Sequence, residues 1–233
     1  MSGRPLHEFR AAHDPATIIA RLESELKRVS QESVDAAAIK AIVGTAAASL
    51  ETYSPPAWTV TEPKATESPG VPTLLLSDLH WGEVVRASQV AGVNQYSLIH
   101  ARQRLRTTIE TAIGLCRILD RKMRYPGIVV PLGGDMVSGN IHEELQATNE
   151  LNTMPTVLDL YDHLAGAIKL LADAFGKVFL PCVTGNHGRD TRKTWAKDRA
   201  HTSFDWLLYQ FLARHFREDK RVTFYIPDGS DAL

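Results

Sequence analysis

Apolar residues near the start of the chain recur at helical spacing. Between residues 15 and 30 they return every three or four positions with charged residues between them, which predicts an amphipathic helix; these apolar residues are Ile18, Ile19, Leu22, Leu26 and Val29. A polar stretch at 30–33 then precedes a second, alanine-rich helical pattern that ends near Leu50. We expect an N-terminal helical segment over residues 1–52, in which the two helices are compatible with a hairpin.

Proline then interrupts the helical pattern. Five prolines fall between residues 53 and 72, among threonine, serine and glutamate. This composition is typical of a linker, because proline breaks helices and small polar residues bury little surface. We predict a proline-rich linker over residues 53–70 and a second domain from residue 71 onward.

After residue 70, short apolar runs alternate with glycine-containing loops and with longer helical patterns. The short runs predict four strands, Val71–Ser77, Gly127–Leu132, Lys177–Val183 and Val222–Ile226. The longer patterns predict three helices, Ser97–Arg124, Thr148–Phe175 with an interruption near Pro155, and Phe204–Phe216. Strands that alternate with helices indicate a layered α/β domain over residues 71–233.

Composition and charge narrow the class of protein. The chain has 233 residues, 44% of them hydrophobic, and a net charge of −1, so it is long enough for a core and has no whole-molecule field for nucleic acid or membrane. The two cysteines, Cys116 and Cys182, lie in apolar runs far apart, which favours reduced thiols. No apolar run approaches the length of a membrane span. We expect a cytoplasmic protein with no membrane partner, and no pattern indicates its oligomeric state.

Metal-binding residue types follow three of the predicted strands. Asp78 and His80 follow the first, Asp135 follows the second, and Asn186 and His187 follow the third. In extended backbone Asp78 and His80 point to the same side, and in α/β sheets ligands gather beyond the carboxyl ends of strands. Carboxylate, amide and imidazole suit Mn, Fe or Zn. A carboxylate shared by two ions is the arrangement of two-metal phosphoester hydrolysis.

These motifs, Asp-x-His at 78–80, Gly-Asp at 134–135 and Gly-Asn-His at 185–187, resemble the calcineurin-like metallophosphoesterase superfamily, which uses them in this order. The wider sequence around them is similar to the subgroup of bacterial viruses and prophages. The resemblance implies an α/β/β/α sandwich and two divalent metal ions. It implies that Asp78 and His80 bind the first ion, that Asp135 bridges both, and that Asn186 binds the second. It makes Asp135 and His187 the catalytic residues, with His187 near the leaving group as general acid or charge stabiliser.

Two departures from the superfamily stand out. The superfamily has an acidic residue after Gly-Asn-His that pairs with the histidine, whereas this chain has Gly188. The superfamily also continues with a Gly-His-x-His segment, and this chain contains no Gly-His pair. We therefore expect a domain that is incomplete at the C-terminus. His201 and His215 lie on a helical stretch among aromatic and basic residues and are poor replacements for the missing ligands.

Several neighbouring residues are candidates for binding the substrate. His142 follows the Asp135 loop and is either near the substrate phosphate or at a solvated helix start. Arg189 and Arg192 begin a basic stretch that either steers phosphate into the site or is a solvated loop. Asn94 and Tyr96, ahead of the long helix, are weaker candidates for the pocket wall.

The sequence thus leaves two functions open. The first is a metal-dependent phosphoesterase that hydrolyses a phosphomonoester or phosphodiester, with nucleic acid, nucleotides and phosphoproteins all among the possible substrates. The second is a metallophosphoesterase-like binding or interaction protein that is too incomplete for catalysis.

Overall fold

The computed structural model describes residues 55–60, 70–141, 143–191, 193 and 199–227. All of them belong to the second of two units, Leu50–Leu233. The predicted helical segment over 1–52 and most of the predicted linker lie outside the described residues and stay predictions. Within the linker, residues Ala57–Val60 form a single helical turn, α1. A side chain on Gly127 would collide with the ring of Trp58, which shows that this turn packs against the domain.

The described residues contain four further helices and three strands. The helices are α2 (Leu98–Leu119), α3 (Glu143–Thr148), α4 (Thr153–Phe175) and α5 (Phe204–His215), with short 3₁₀ turns at Ala87–Gln89 and Ala200–Thr202. The strands are β1 (Ile128–Val129), β2 (Val178–Pro181) and β3 (Val222–Tyr225). Helices and strands alternate as the sequence predicts, and the mixed α/β class is confirmed.

The sheet is parallel, with its strands in chain order. Val178 of β2 pairs with Ile128 of β1 on one side and with Val222 of β3 on the other. The predicted first strand runs beside β1 as isolated parallel bridges at Thr73 and Leu76. Backbone hydrogen bonds run in both directions between this segment and the β1 segment. For example, the N–H of Leu74 donates to the carbonyl of Val129, and the N–H of Val129 donates to the carbonyl of Pro72, as in a regular parallel pair. The sheet edge therefore has a fourth chain segment where the sequence predicts a strand.

The long helices pack together over one face of the sheet. Parallel neighbours in chain order need crossover connections, and these are almost always right-handed, which places all the helices on the same side. Helix α4 lies between α2 and α5. Its buried side chains recur at intervals of three and four, and they include Leu160, Leu164, Ile168 and Leu171. They belong to the same core cluster as alternate residues of the β1 and β2 segments, Ile128, Val130, Val178 and Leu180, so the core forms between this helix layer and the sheet.

Two predicted helix boundaries are wrong. Helix α2 ends at Leu119 and not at Arg124, because the carboxylate of Asp120 accepts hydrogen bonds from the backbone N–H groups of Lys122 and Arg124 and closes a turn. These hydrogen bonds lower the pKa of Asp120, and the largest cause is the one donated by the backbone N–H of Arg124. The break between α3 and α4 falls before Thr153 and not at Pro155. Proline is tolerated there, because the N–H groups of the first helical turn have no partner within the helix.

The opposite face of the sheet is exposed at the segment before β1 and buried at Phe179 of β2. Leu75, which points away from the helices, is 63% exposed, whereas its neighbour Leu76 is buried. The second sheet of the expected sandwich is not seen among the described residues, so the four-layer arrangement stays a prediction. None of the described helices is long and apolar enough to cross a membrane.

Replacing a core leucine of α4 tests this helix layer. Leu164 is fully buried, so Leu164→Ala is expected to lower the free energy of unfolding by about 2–5 kcal/mol through lost burial and the cavity it leaves. Leu170→Ala on the same helix removes a side chain that is 50% exposed and is the matched control. Urea denaturation of both variants measures the difference. Equal losses would contradict the packing of α4 against the sheet.

Candidate metal centre

The loop after the Thr73–Leu76 segment and the loop after the β1 segment run side by side. The N–H of Asp78 donates to the carbonyl of Gly134 at 3.1 Å, and the N–H of His80 donates to the carbonyl of Asp135 at 3.0 Å. The parallel pairing continues as far as a bridge between Trp81 and Val137. This continued pairing brings the Asp78–His80 loop and Asp135 to the same edge of the sheet.

Asp78, His80 and Asp135 have left-handed backbone conformations, with φ values of 54°, 44° and 50°. They make up three of the five non-glycine residues with positive φ among those described. The expectation of extended backbone at 78–80 is therefore wrong. The two side chains still meet, with Oδ1 of Asp78 4.0 Å from Nε2 of His80. Strained backbone of this kind persists only where the surroundings impose it, and it concentrates at functional sites.

Three side chains converge at this edge. His80, Asp135 and His187 each offer one possible ligand atom, and these atoms lie within 4.8 Å of one another. The two imidazole rings meet edge to face, with centroids 4.5 Å apart. His80 and Asp135 offer an imidazole and a carboxylate, a donor set that suits Zn, Mn or Fe, and His187 is close enough either to be a third ligand or to act beside the ion. The residues present therefore fit a divalent metal ion, and Asp78, 69% exposed at its side chain, adds a second carboxylate beside them.

The remaining predicted site residues lie around this cluster or outside the described ranges. Asn186 is exposed, and its backbone carbonyl accepts a hydrogen bond from Arg189 at 2.8 Å. Arg189 also donates to the carbonyl of Thr191, so its guanidinium contacts the backbone of its own loop. His142 and Arg192 lie outside the described residues. Their predicted roles in binding the substrate stay predictions.

Backbone and loop contacts orient His187. Its N–H donates to Oδ1 of Asp135 at 2.6 Å, and its Nδ1 lies 3.2 Å from the carbonyl oxygen of Ser138. A carbonyl only accepts, so Nδ1 carries the proton in this contact, and Nε2 is the ring nitrogen that would bind a metal or exchange a proton. Ser138 is buried and donates through Oγ to Asn149. The carbonyl of Ser138 thus supplies the orienting contact for the ring of His187.

Asp205 is a site residue that the sequence analysis missed. It lies in the first turn of α5, fully buried, and its carboxylate accepts hydrogen bonds from the N–H groups of Asp135 and Gly185 at 3.0 Å and of Met136 at 3.2 Å. Burial, the largest cause, raises the pKa of Asp205 to about 6, and the charge of Asp135 acts in the same direction. The only local signal is a Ser203 cap, whose Oγ accepts from the N–H of Asp205 at 3.2 Å.

Close packing around Asp205 explains why three positions are glycine. A Cβ on Gly134 would collide with the backbone of Gly185, and a Cβ on Gly185 would collide with the side chain of Asp135. A Cβ on Gly188 would lie 2.8 Å from Oδ1 of Asp205, closer than real Cβ atoms come. A side chain at position 188 therefore has no room, because the carboxylate of Asp205 occupies that space.

Trp81 ties the Asp78–His80 loop to the helix layer. It is buried, and its Nε1 donates to Oδ2 of Asp159 on α4 at 2.7 Å. Arg102 on α2 also donates to Asp159. Burial opposes the ionisation of Asp159, but the hydrogen bonds from Arg102 and Trp81 outweigh it, and the pKa of Asp159 lies below its ordinary value. The loop that carries His80 is thus fixed to both α2 and α4.

A cavity of about 280 Å³ opens beside the cluster. Asp78, His80 and Glu83 contribute to its wall, together with Asn94 and Tyr96. The prediction that Asn94 and Tyr96 line a pocket is confirmed. Arg104 of α2 also lines the cavity, and the sequence analysis missed it because nothing in the helical pattern distinguishes it from its neighbours.

Comparison of the chain with protein families, with curated proteins and with solved structures finds no match. The resemblance to metallophosphoesterases therefore continues to depend on the three motifs and on the geometry that brings them together.

Substitution of Asp205 tests whether it holds the site loops. The side chain of Asn has one acceptor oxygen, and its NH2 group is a donor that cannot accept from a backbone N–H. We therefore expect Asp205→Asn to leave at least one buried N–H unpaired. The free energy of unfolding should fall by about 1–3 kcal/mol. Asp162→Asn on the exposed side of α4 is the control. Equal urea midpoints for the two variants would contradict the role assigned to Asp205.

Proposed function

We propose that the protein is a metal-dependent phosphoesterase that hydrolyses a phosphomonoester or phosphodiester at a dinuclear metal centre. The observation that carries the proposal is the convergence of His80, Asp135 and His187 at the carboxyl edge of a parallel sheet. These residues come from three loops, each of which the motifs single out independently. Chance placement would not be expected to bring all three together.

The donor set supports a division of roles among the ligands. Asp78 and His80 are neighbours on one loop and would hold the first ion, and Asn186 beside His187 would hold the second. Asp135 lies between the two loops, since its backbone bonds to His80 and its carboxylate accepts from His187. This position suits a bridging carboxylate. The chemistry that divalent ions supply to such a site is polarisation of the phosphoryl oxygens and a lowered pKa for a water nucleophile.

His187 would supply the proton for the leaving group. In the hydrolysis, the oxygen of water forms a new bond to phosphorus, the ester P–O bond breaks, and the leaving oxygen takes a proton. With Nδ1 donating to the carbonyl of Ser138, the proton for the leaving group would come from Nε2 of His187. The contacts of His187 with Asp135 and Ser138 hold the ring in one orientation, which general acid catalysis requires.

A metal-binding interaction protein without turnover is the second candidate. It is favoured by the ligand count, because the described residues bring together a single cluster of three and leave the second ion with Asp135 and Asn186. Two metal ions per chain with hydrolysis of nitrophenyl phosphates would support the enzyme. One ion per chain without hydrolysis would support the binding protein.

Among single substitutions of the proposed ligands, that of Asp135 is expected to lower the metal content of the protein the most. Because Asp135 would contact both ions, Asp135→Ala should abolish Mn²⁺ uptake, whereas Asn186→Ala should remove only the second ion. Elemental analysis of the purified variants measures both. Retained stoichiometric Mn²⁺ in Asp135→Ala would contradict the bridging role, and circular dichroism establishes that the variant is folded.

Substitution of His187 separates proton donation from metal binding. His187→Asn is expected to lower kcat by about 10²–10⁴-fold for alkyl phosphoesters and to leave the metal content unchanged. The loss should be smaller for nitrophenyl esters, whose leaving group needs little protonation. Loss of metal in His187→Asn would instead make it a ligand, which its distance to His80 and Asp135 allows.

A further inference from the structure

The cavity beside the candidate metal centre combines apolar walls with one cationic side chain. Buried or half-buried apolar side chains form much of its wall, and they include Leu76, Leu79, Ala101 and Leu105. Arg104 supplies the positive charge, while Asp78 and His80 connect the cavity to the metal centre. Its volume of about 280 Å³ is at the lower limit of ligand pockets, which suits one small organic group.

Arg104 differs from the neighbouring arginines of α2. Arg102 is paired with Asp159, and Arg106 is paired with Glu110 four residues on. Arg104 forms no ion pair with a carboxylate of the described residues, and its hydrogen bond goes to the neutral amide oxygen of Asn94 at 3.1 Å. No acid of the described residues therefore forms an ion pair with Arg104, although Glu83 and Asp78 share the cavity wall with it.

Tyr96 and Asn94 hold the guanidinium of Arg104 in place. Its central carbon lies 5.1 Å from the centroid of the Tyr96 ring, which is within the range of a cation–π contact. The hydroxyl of Tyr96 in turn donates to the carbonyl of Leu79, on the loop that carries Asp78 and His80. Arg104 is exposed, so these two contacts position its guanidinium without burying it, and its remaining N–H groups can bind a further acceptor. A planar guanidinium held in this way suits bidentate binding of phosphate.

We propose that Arg104 binds a second phosphate of the substrate, one nucleotide away from the phosphate that is hydrolysed. The proposal rests on the proposed phosphoesterase function and adds its substrate class, a nucleotide or nucleic acid strand. The apolar wall would contact the nucleoside between the two phosphates. Arg104 would determine specificity without taking part in the hydrolysis itself.

Two matched substrates test the proposal. Thymidine 5′-(4-nitrophenyl phosphate) has one phosphate, and its 3′-phosphorylated form adds a second while keeping the same scissile bond and leaving group. Wild-type protein with Mn²⁺ is expected to have a kcat/KM about 10–100-fold higher for the 3′-phosphorylated form, the range of a hydrogen bond to a charged group. Arg104→Gln should abolish that preference, so that the variant has the same kcat/KM for both substrates.

The controls use the same helix and the same chemistry. Arg106→Gln removes an equal charge from a residue outside the cavity wall and should keep the preference. Arg104→Lys keeps the positive charge but lacks the planar guanidinium, so this variant should keep part of the preference for the 3′-phosphorylated substrate. No preference in the wild type, or an equal loss on both substrates in Arg104→Gln, would overturn the proposal.

A binding measurement separates this proposal from the proposed function. If the wild type hydrolyses neither ester, the phosphoesterase proposal fails. Calorimetric titration with thymidine 3′,5′-bisphosphate and with thymidine 5′-monophosphate still tests the subsite. Tighter binding of the bisphosphate by about tenfold in the wild type but not in Arg104→Gln would support it, and equal binding would overturn it. An octathymidylate that binds more tightly than the bisphosphate through Arg104 would identify a strand as the source of the second phosphate, and equal binding would identify a nucleotide.

Discussion

The buried carboxylate of Asp205 accepts hydrogen bonds from the N–H groups of Asp135, Met136 and Gly185, and these come from the loops after two different strands. Without Asp205, each of these N–H groups would be unpaired at the end of a strand. A buried N–H group without a partner lowers the free energy of unfolding. A single side chain of α5 thus satisfies both loops at once. The relative position of Asp135 and His187, on which the candidate metal centre depends, follows from this contact.

Close backbone approach and local strain accompany that contact. Gly134, Gly185 and Gly188 are packed so tightly against the two loops and Asp205 that none has room for a side chain. Asp78 and Asp135 have left-handed backbone, which costs free energy for residues other than glycine. The hydrogen bonds between the two loops, and those that the backbone N–H groups donate to Asp205, offset this cost. The site is therefore held by backbone contacts, and its metal-binding side chains are left facing the open edge of the sheet.

The helix layer contributes to the site through two arginines with different partners. Arg102 is paired with Asp159, which also holds Trp81, and this network fixes the loop of His80. Arg104, two residues further along α2, lines the cavity and forms no ion pair with an acid of the described residues. A half-buried carboxylate bound by an arginine and an indole is a structural contact, whereas an arginine that only neutral groups hold can still bind an anion. The same helix thus supports the loop and supplies a candidate binding group.

The hydrophobic pattern determined the order of helices and parallel strands, because helices and strands have different periods that short stretches of sequence reveal. The motifs at the strand ends also indicated which residues meet, since parallel strands in one sheet end at the same edge. The pattern did not predict Asp205, which is 70 residues from Asp135, or the role of Arg104, which looks like its helical neighbours. It also did not predict the left-handed backbone at Asp78 and His80. Only the tertiary structure decided these features, because they depend on contacts between segments far apart in the chain, and local sequence patterns contain no information about such contacts.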